Sequence, residues 1–113
     1  MTTLFDTHAH YTDERLREKP DLLHEALAGD IGGIVTVASD LSDSEACIAL
    51  AAAYNNIWAS AGIHPHECSK AGDCDTAMHT LHALLQKDKT VAIGEIGLDY
   101  HYDFSDKKTR MRF

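Results

Sequence analysis

Two histidines one residue apart follow a short apolar run near the N-terminus, within residues 4–10 (LFDTHAH). Successive side chains of an extended strand point to opposite faces, so Asp6, His8 and His10 would share one face. Two imidazoles at this spacing can reach one cation together, and imidazole nitrogens suit zinc and other first-row metals. Taken alone, this pattern is explained equally well by metal ligation through His8 and His10 and by two polar residues at the entrance of a loop. The other two clusters make metal ligation the favoured interpretation.

Two further polar clusters also follow strand-like runs. Residues 62–66 (GIHPH) carry two histidines around a proline, and residues 94–100 (GEIGLDY) carry two carboxylates. A carboxylate such as Glu95 suits hard divalent cations and can bridge two of them. His64 is expected to face the site and to contact a phosphate or orient a ligand. His66 is better explained as a solvated loop histidine.

Two aspartates have supporting roles in this interpretation. Asp6 is expected close to the two histidines, either beside the metal site or as a structural group. Asp99 is explained equally well as a contact of the ligands or the substrate and as an anchor of its own loop through backbone N–H groups. The other residues that could bind a metal or a phosphate are expected on solvated helix faces: His24, His79, His82, Lys107, Lys108, Arg110 and Arg112.

Four apolar strands alternate with helical patterns along the chain. The predicted strands comprise residues 4–7, 31–38, 57–63 and 90–93, and the second of them is expected to be buried on both faces. The predicted helices begin at Pro20, at Ser42 or Asp43, at Asp75 or Thr76, and after a cap at Ser105. Residues 11–19, 67–75 and 94–103 are predicted to be loops.

This order of elements predicts an α/β fold with a parallel sheet built from crossover units. Functional groups in such folds lie beyond the carboxyl ends of the strands, where three of the four strands here carry the polar clusters. Four strands are half of an eight-stranded barrel, which takes about 250 residues. We therefore interpret residues 1–113 as the N-terminal portion of a longer (β/α)8 domain, ending after the start of its fourth helix.

The composition is that of an ordinary globular protein, with 44% hydrophobic and 25% charged residues among 113. The sequence shows no membrane span and no signal peptide, so we expect a cytoplasmic protein without a membrane partner. Cys47, Cys68 and Cys74 fit no zinc or disulfide pattern and are predicted to be free thiols. The net charge of −8 argues against tight, sequence-independent nucleic-acid binding, but it allows a phosphate held by a cation in a pocket.

The three polar clusters, in this order and at this spacing, resemble the TatD family of metal-dependent hydrolases. The resemblance implies a TIM-barrel, (β/α)8 fold of the amidohydrolase type with one or two divalent metal ions (Zn, Mg or Mn). It assigns His8 and His10 as the first two metal ligands and Glu95 as the carboxylate that binds or bridges the metals. The resemblance covers about the first two-fifths of a family member. The family takes two further histidines and an aspartate from later strands, so this chain alone is expected to be inactive.

The leading hypothesis is metal-assisted hydrolysis of a phosphodiester, in DNA or in a small molecule, with Glu95 in the catalytic centre. The general base would be the aspartate of a later strand. One alternative is a non-catalytic half-barrel that self-associates through its unpaired strand edges. The other is a different amidohydrolase-type enzyme that cleaves esters or amides with the same ligands.

Overall fold

The four predicted strands form one parallel sheet whose spatial order equals their order in the sequence, in a computed structural model that describes residues 3–113. The strands are β1 (Leu4–Ala9), β2 (Ile31–Thr36), β3 (Ile57–Ala61) and β4 (Thr90–Ile93). Each strand pairs in parallel with the next. The parallel sheet predicted from the alternation of strands and helices is therefore confirmed, and its polar clusters follow the carboxyl ends of β1, β3 and β4.

Helices connect the strands. They are α1 (Glu14–Arg17), α2 (Pro20–Ala28), α3 (Leu41–Ala53), a 3-10 helix (Pro65–Lys70), α4 (Cys74–Leu85) and α5 (Lys107–Arg110). The prediction of loops over residues 11–19 and 67–75 is thus wrong where α1 and the 3-10 helix lie. Among the described residues, no helix is both long and apolar enough to cross a membrane.

Three helices begin at positions other than the predicted ones because an aspartate caps each of them. Asp40 accepts the backbone N–H of Asp43 at 2.7 Å, and Asp73 accepts that of Thr76 at 3.0 Å. Asp106 caps α5 in the same way, so Ser105 is not the cap. Strand ends also differ by two residues, since β1 continues to Ala9 while β2 and β3 end at Thr36 and Ala61.

The main core lies where α2 and α3 pack on β2 and β3. It is formed by small and branched side chains: Leu23, Ile34, Ala38, Cys47, Ala51, Ile57 and Ala59. Burial along β2 is nearly continuous from Gly33 onward, as expected for a strand covered on both faces. The three cysteines are free thiols, as predicted. Burial raises the pKa of Cys47 and Cys68, which makes these thiols unreactive.

The two outer strands carry large apolar side chains that are exposed. Within residues 3–113, β1 pairs only with β2, and β4 pairs only with β3. Phe5 on β1 is 52% exposed, and Val91 and Ile93 on β4 are 56% and 58% exposed. Both edges of the sheet therefore present unpaired backbone groups together with apolar surface.

Candidate metal centre

The end of β1 brings the imidazoles of His8 and His10 together. Their Nε2 atoms lie 3.2 Å apart, because side chains two positions apart on a strand project from the same face. The carboxylate of Glu95, just beyond β4, faces both rings. Its Oε1 lies 3.7 Å from His8 Nε2, and its Oε2 lies 3.7 Å from His10 Nε2.

These separations fit a shared ion. Two ligand atoms bound about 2.0–2.1 Å from one metal, at angles between a right angle and the tetrahedral angle, lie about 2.8–3.4 Å apart. The two imidazole nitrogens already have this spacing, and each carboxylate oxygen is only slightly farther away. His8, His10 and Glu95 form the one group of three or more potential metal ligands found in the described part of the chain.

The backbone carbonyl of Val37, the residue after β2, determines which nitrogen of the His10 ring carries the proton. His10 Nδ1 lies 3.0 Å from the carbonyl oxygen of Val37, and because a carbonyl only accepts, Nδ1 must carry the hydrogen. The neutral ring then has a free lone pair on Nε2, the atom that faces His8 and Glu95. Metal-binding histidines generally have their other ring nitrogen held in this way. The donor set therefore suits a divalent cation.

Glu95 is held in place by the ends of β2 and β3. Its backbone N–H donates to the carbonyl of Ala38 at 2.8 Å. The buried hydroxyl of Ser60 accepts from the N–H of Ala38 at 3.2 Å and donates to the carbonyl of Gly94 at 2.7 Å. Ser60 thus joins three strand ends behind the carboxylate. Sequence analysis missed this residue, although a serine inside the apolar run IWASAGI was a visible signal.

A second polar group lies beside the metal ligands. His66 Nε2 and Asp99 Oδ2 are 2.6 Å apart, and the His66 side chain is only 29% exposed. The interpretation of His66 as a solvated histidine is therefore wrong, because Asp99 binds it across the gap between two loops. His64, His66 and Glu95 line one groove with His10, and its cavity volume is about 980 Å³.

The ring of His64 presents a hydrogen-bond donor to this groove. His64 Nδ1 accepts the backbone N–H of His66 at 3.1 Å, where it caps the 3-10 helix. The proton of a neutral His64 ring must then lie on Nε2. His10 and His64 are consequently opposite tautomers, one with a lone pair suited to a cation and the other with an N–H suited to an anionic oxygen.

Asp99 also anchors its own loop, which is one of the two roles that the sequence left open; its contact with the ligands or the substrate stays a prediction. Its Oδ1 accepts the backbone N–H groups of His101 at 2.8 Å and Tyr102 at 3.2 Å. Hydrogen bonds lower the pKa of Asp99 from its ordinary 3.8 to about 2. The backbone N–H of His101 has the largest effect, followed by the ring of His66 and the backbone N–H of Tyr102. The carboxylate is therefore the form that the fold favours.

We expect the loop anchor to weaken in acid. Because the pKa of Asp99 is lower in the fold than in the unfolded chain, its contribution to stability is complete above about pH 4 and is lost as pH falls through about 2. The free energy of unfolding should be measured against pH for the wild type and for Asp99→Asn. The difference between the two proteins should shrink over this interval, and a difference independent of pH would contradict the assignment.

The remaining candidates lie outside the metal group. The Asp6 carboxylate accepts the backbone N–H of His8 at 3.0 Å, so it is placed to shape the end of β1. Arg110 contradicts the prediction of a solvated side chain: it is 3% exposed and donates to the carbonyls of Asp99 and Tyr102. Those carbonyls belong to the loop before α5, and helical periodicity describes only contacts along the helix itself. It therefore could not indicate this contact. His79 and His82 lie exposed on α4, as expected.

Sequence comparison finds relatives that are longer than this chain. The 3'-5' ssDNA/RNA exonuclease TatD of Salmonella typhimurium is 28% identical over 110 residues, which are 96% of this chain and 42% of that protein. The protein of the same description from Cronobacter sakazakii is 32% identical over 103 residues, covering 90% of this chain and 38% of that protein. The chain thus spans about two-fifths of the length of these relatives.

Two solved structures have folds similar to that of this chain. YJJV, a TatD homologue from Escherichia coli K12, has a TM-score of 0.81 at 28% identity over 96% of this chain and 42% of that one. A TatD family hydrolase from Entamoeba histolytica has a TM-score of 0.79 at 28% identity over 97% of this chain and 42% of that one. The four β/α units correspond to about the first half of a TIM barrel. The family model described as TatD related DNase matches residues 5–113, and the chain therefore belongs to the TatD family.

Proposed function

We propose that His8, His10 and Glu95 bind a divalent cation in an enzyme that hydrolyses phosphodiester bonds of nucleic acid. The observation that carries the proposal is the convergence of three ligand atoms, with the lone pair of His10 Nε2 directed at the site by the Val37 carbonyl. Two imidazoles and one carboxylate favour zinc or manganese over magnesium, which prefers oxygen ligands alone. Because Glu95 offers two oxygens, a second cation could be bound beside the first.

The roles of the chain's own residues follow from their positions. When bound, a cation of this kind lowers the pKa of a water molecule and polarises a phosphoryl group. His64 lines the same groove, so its Nε2–H could donate to a phosphate oxygen there, while His66 is oriented by Asp99. Three protein ligands leave an open coordination position on a metal such as zinc, where a water molecule or a phosphate oxygen could bind.

The relatives support nucleic acid as the substrate class. Their descriptions name a 3'-5' exonuclease for single-stranded DNA and RNA, and this chain covers 38–42% of them. Because the chain has a net charge of −8, its surface repels a phosphate, and a bound cation would be the principal attraction for a phosphate in this groove. We also propose a cytoplasmic location, because the three cysteines are free and two of them are buried.

The test measures cation binding first and catalysis second. Isothermal titration of the metal-free chain with Zn²⁺ and Mn²⁺ should show binding that competes with EDTA. The protein from its natural source should shorten labelled single-stranded DNA or RNA, and EDTA should stop it until Mn²⁺ or Zn²⁺ is restored. Cleavage that continues in EDTA, or a chain that binds neither cation, would be incompatible with the proposal.

A second candidate is the non-catalytic chain that associates with copies of itself. It is favoured by the apolar side chains at both open sheet edges, Phe5 at one and Val91 and Ile93 at the other. Sedimentation of residues 1–113 distinguishes the two candidates. A stable dimer that binds no cation favours self-association, whereas a monomer that binds Mn²⁺ favours the hydrolase.

A further inference from the structure

An aromatic cluster lies in the loop that follows β4. The rings of Tyr102 and Phe104 have centroids 5.4 Å apart, and both contact His66, at 5.5 Å and 4.7 Å. Tyr102 is nevertheless 50% exposed and Phe104 is 67% exposed. Large aromatic faces usually lie in a core or at an interface, so a cluster of exposed rings indicates a binding surface. We call these three residues the aromatic platform.

The backbone beneath the platform is fixed. The Asp99 carboxylate accepts the N–H of Tyr102, and the buried guanidinium of Arg110 donates to the carbonyl of Tyr102 at 2.5 Å. Ser105, 2% exposed, donates to the carbonyl of His66 at 2.9 Å and accepts the N–H of Ser69 at 3.0 Å. The main-chain N–H and carbonyl groups of Tyr102 are therefore both paired, which reduces the ordering that a ligand would have to impose at this residue.

The platform adjoins the metal centre. Tyr102, His66 and Asp99 line a groove of about 590 Å³ together with Glu95 and His64. A phosphate near Glu95 would place the attached nucleoside beside these rings. Basic side chains follow in the same segment, with Lys107 Nζ 5.6 Å from the ring centre of Tyr100 and Lys108 exposed next to it. Lys107 and Lys108 offset the charges of Asp103 and Asp106, so this segment is locally neutral in a chain with a net charge of −8.

We propose that the aromatic platform stacks a base of a single-stranded nucleic acid whose phosphate lies at the metal centre; this inference rests on the proposed function. Aromatic rings beside cationic side chains are the usual combination in proteins that bind single strands. An unpaired base can expose its face to Tyr102 or Phe104, whereas both faces of a base within a duplex are covered by its neighbours. The platform would therefore select unpaired ends and tolerate any base, because every base has a π-face.

The test compares base-bearing and base-free ligands under conditions that prevent cleavage. Fluorescein-labelled oligothymidylate with cleavage-resistant phosphorothioate linkages, and the same oligonucleotide with abasic residues, are titrated in Mn²⁺, which keeps the proposed contact to the phosphate, and binding is followed by anisotropy. Stacking is worth about 1–3 kcal/mol per base, so Tyr102→Leu and Phe104→Leu should each weaken binding of the base-bearing strand about 5- to 150-fold. Binding of the abasic strand should not change.

The matched control is Phe5→Leu, which removes an equally exposed ring that lies on β1 against Trp58. It should bind both strands as the wild type does. A wild type with equal affinity for the two strands, or variants that lose affinity for both alike, would overturn the proposal. If a platform variant does not fold, quenching of 2-aminopurine in an oligonucleotide bound to the wild type replaces it, and the absence of quenching is equally decisive against stacking.

The design separates this inference from the proposed function. Base-dependent binding of the phosphorothioate strand, together with no cleavage of an ordinary strand by the natural protein in Mn²⁺ or Zn²⁺, would refute the hydrolase while retaining the platform. Metal-dependent cleavage that is equally fast on base-bearing and abasic strands would refute the platform while retaining the hydrolase.

Discussion

Glu95→Gln is expected to weaken Mn²⁺ or Zn²⁺ binding by about 100-fold or more and to abolish hydrolysis by the natural protein. The change keeps the size of the side chain but removes its negative charge, and a neutral amide is a much weaker ligand than a carboxylate. Glu95 lies 3.7 Å from each of the imidazole nitrogens that would share the ion. Titration calorimetry on the metal-free variant measures the loss of affinity directly.

The control for this prediction is Glu45→Gln, which removes one charge from the exposed face of α3. It should bind the cation like the wild type, because the charge that it removes is screened from the site by water and salt. Thermal unfolding of both variants without metal should match that of the wild type. A Glu95→Gln protein that retains its cation would show that the histidines bind the metal without this carboxylate.

The convergence of the three candidate ligands could be predicted from the sequence because their positions follow from local rules. Strand periodicity places His8 and His10 on one face, and the parallel topology brings the ends of β1 and β4 to the same edge of the sheet. Neither inference needs a side-chain conformation. The same rules place His64 at this edge, where it faces the groove together with Glu95.

The supporting residues could not be found in this way, because their partners lie in other elements of the structure. Ser60 joins the backbones of Ala38 and Gly94, which lie 22 and 34 residues away. Arg110 has the sequence context of a solvated basic helix, yet it is buried against two carbonyls of the preceding loop. Composition and periodicity describe a residue's own element, whereas these contacts depend on how separate elements meet.

The first residue of α3 also could not be predicted from the local sequence. Before α3 the chain offers Asp40, Ser42 and Asp43, all of which can accept a backbone N–H as a cap. The structure uses Asp40, and Asp43 instead accepts the N–H of Ser39 at 2.9 Å and the hydroxyl of Thr12 at 2.5 Å. A contact with Thr12, in the loop after β1, thus occupies Asp43 and leaves Asp40 as the cap. Local helix propensity gives no information about such a contact.

The residues just after β3 and β4 approach each other closely, which makes Gly62 critical for the site. A Cβ atom at Gly62 would lie 2.6 Å from the carbonyl carbon of Gly94 and 2.8 Å from the carbonyl oxygen of Glu95. Side chains do not tolerate such distances to backbone atoms, so an alanine at this position must displace the segment that carries Glu95. The Ser60 hydroxyl, which donates to the Gly94 carbonyl, would be displaced with it.

Gly62→Ala is therefore expected to affect both stability and the metal site. Overpacking of this kind costs about 1–3 kcal/mol of unfolding free energy, which denaturant titration can measure. Displacement of the ligand should lower the affinity for Mn²⁺ or Zn²⁺ by about 10- to 100-fold, a loss typical of disturbed supporting contacts. Calorimetric titration of the folded variant, below the denaturant transition, separates the second effect from the first.

Gly94→Ala is the matched control, because it adds the same methyl group on the other side of the same contact. A Cβ atom at Gly94 would meet only the Ser60 hydroxyl oxygen, at 4.0 Å. This variant should retain most of its stability and its cation affinity. If the two alanine variants lose affinity equally, the close packing of Gly62 against the Glu95 backbone is not the cause of the loss. A general loss of glycine flexibility at the strand ends would then explain the result.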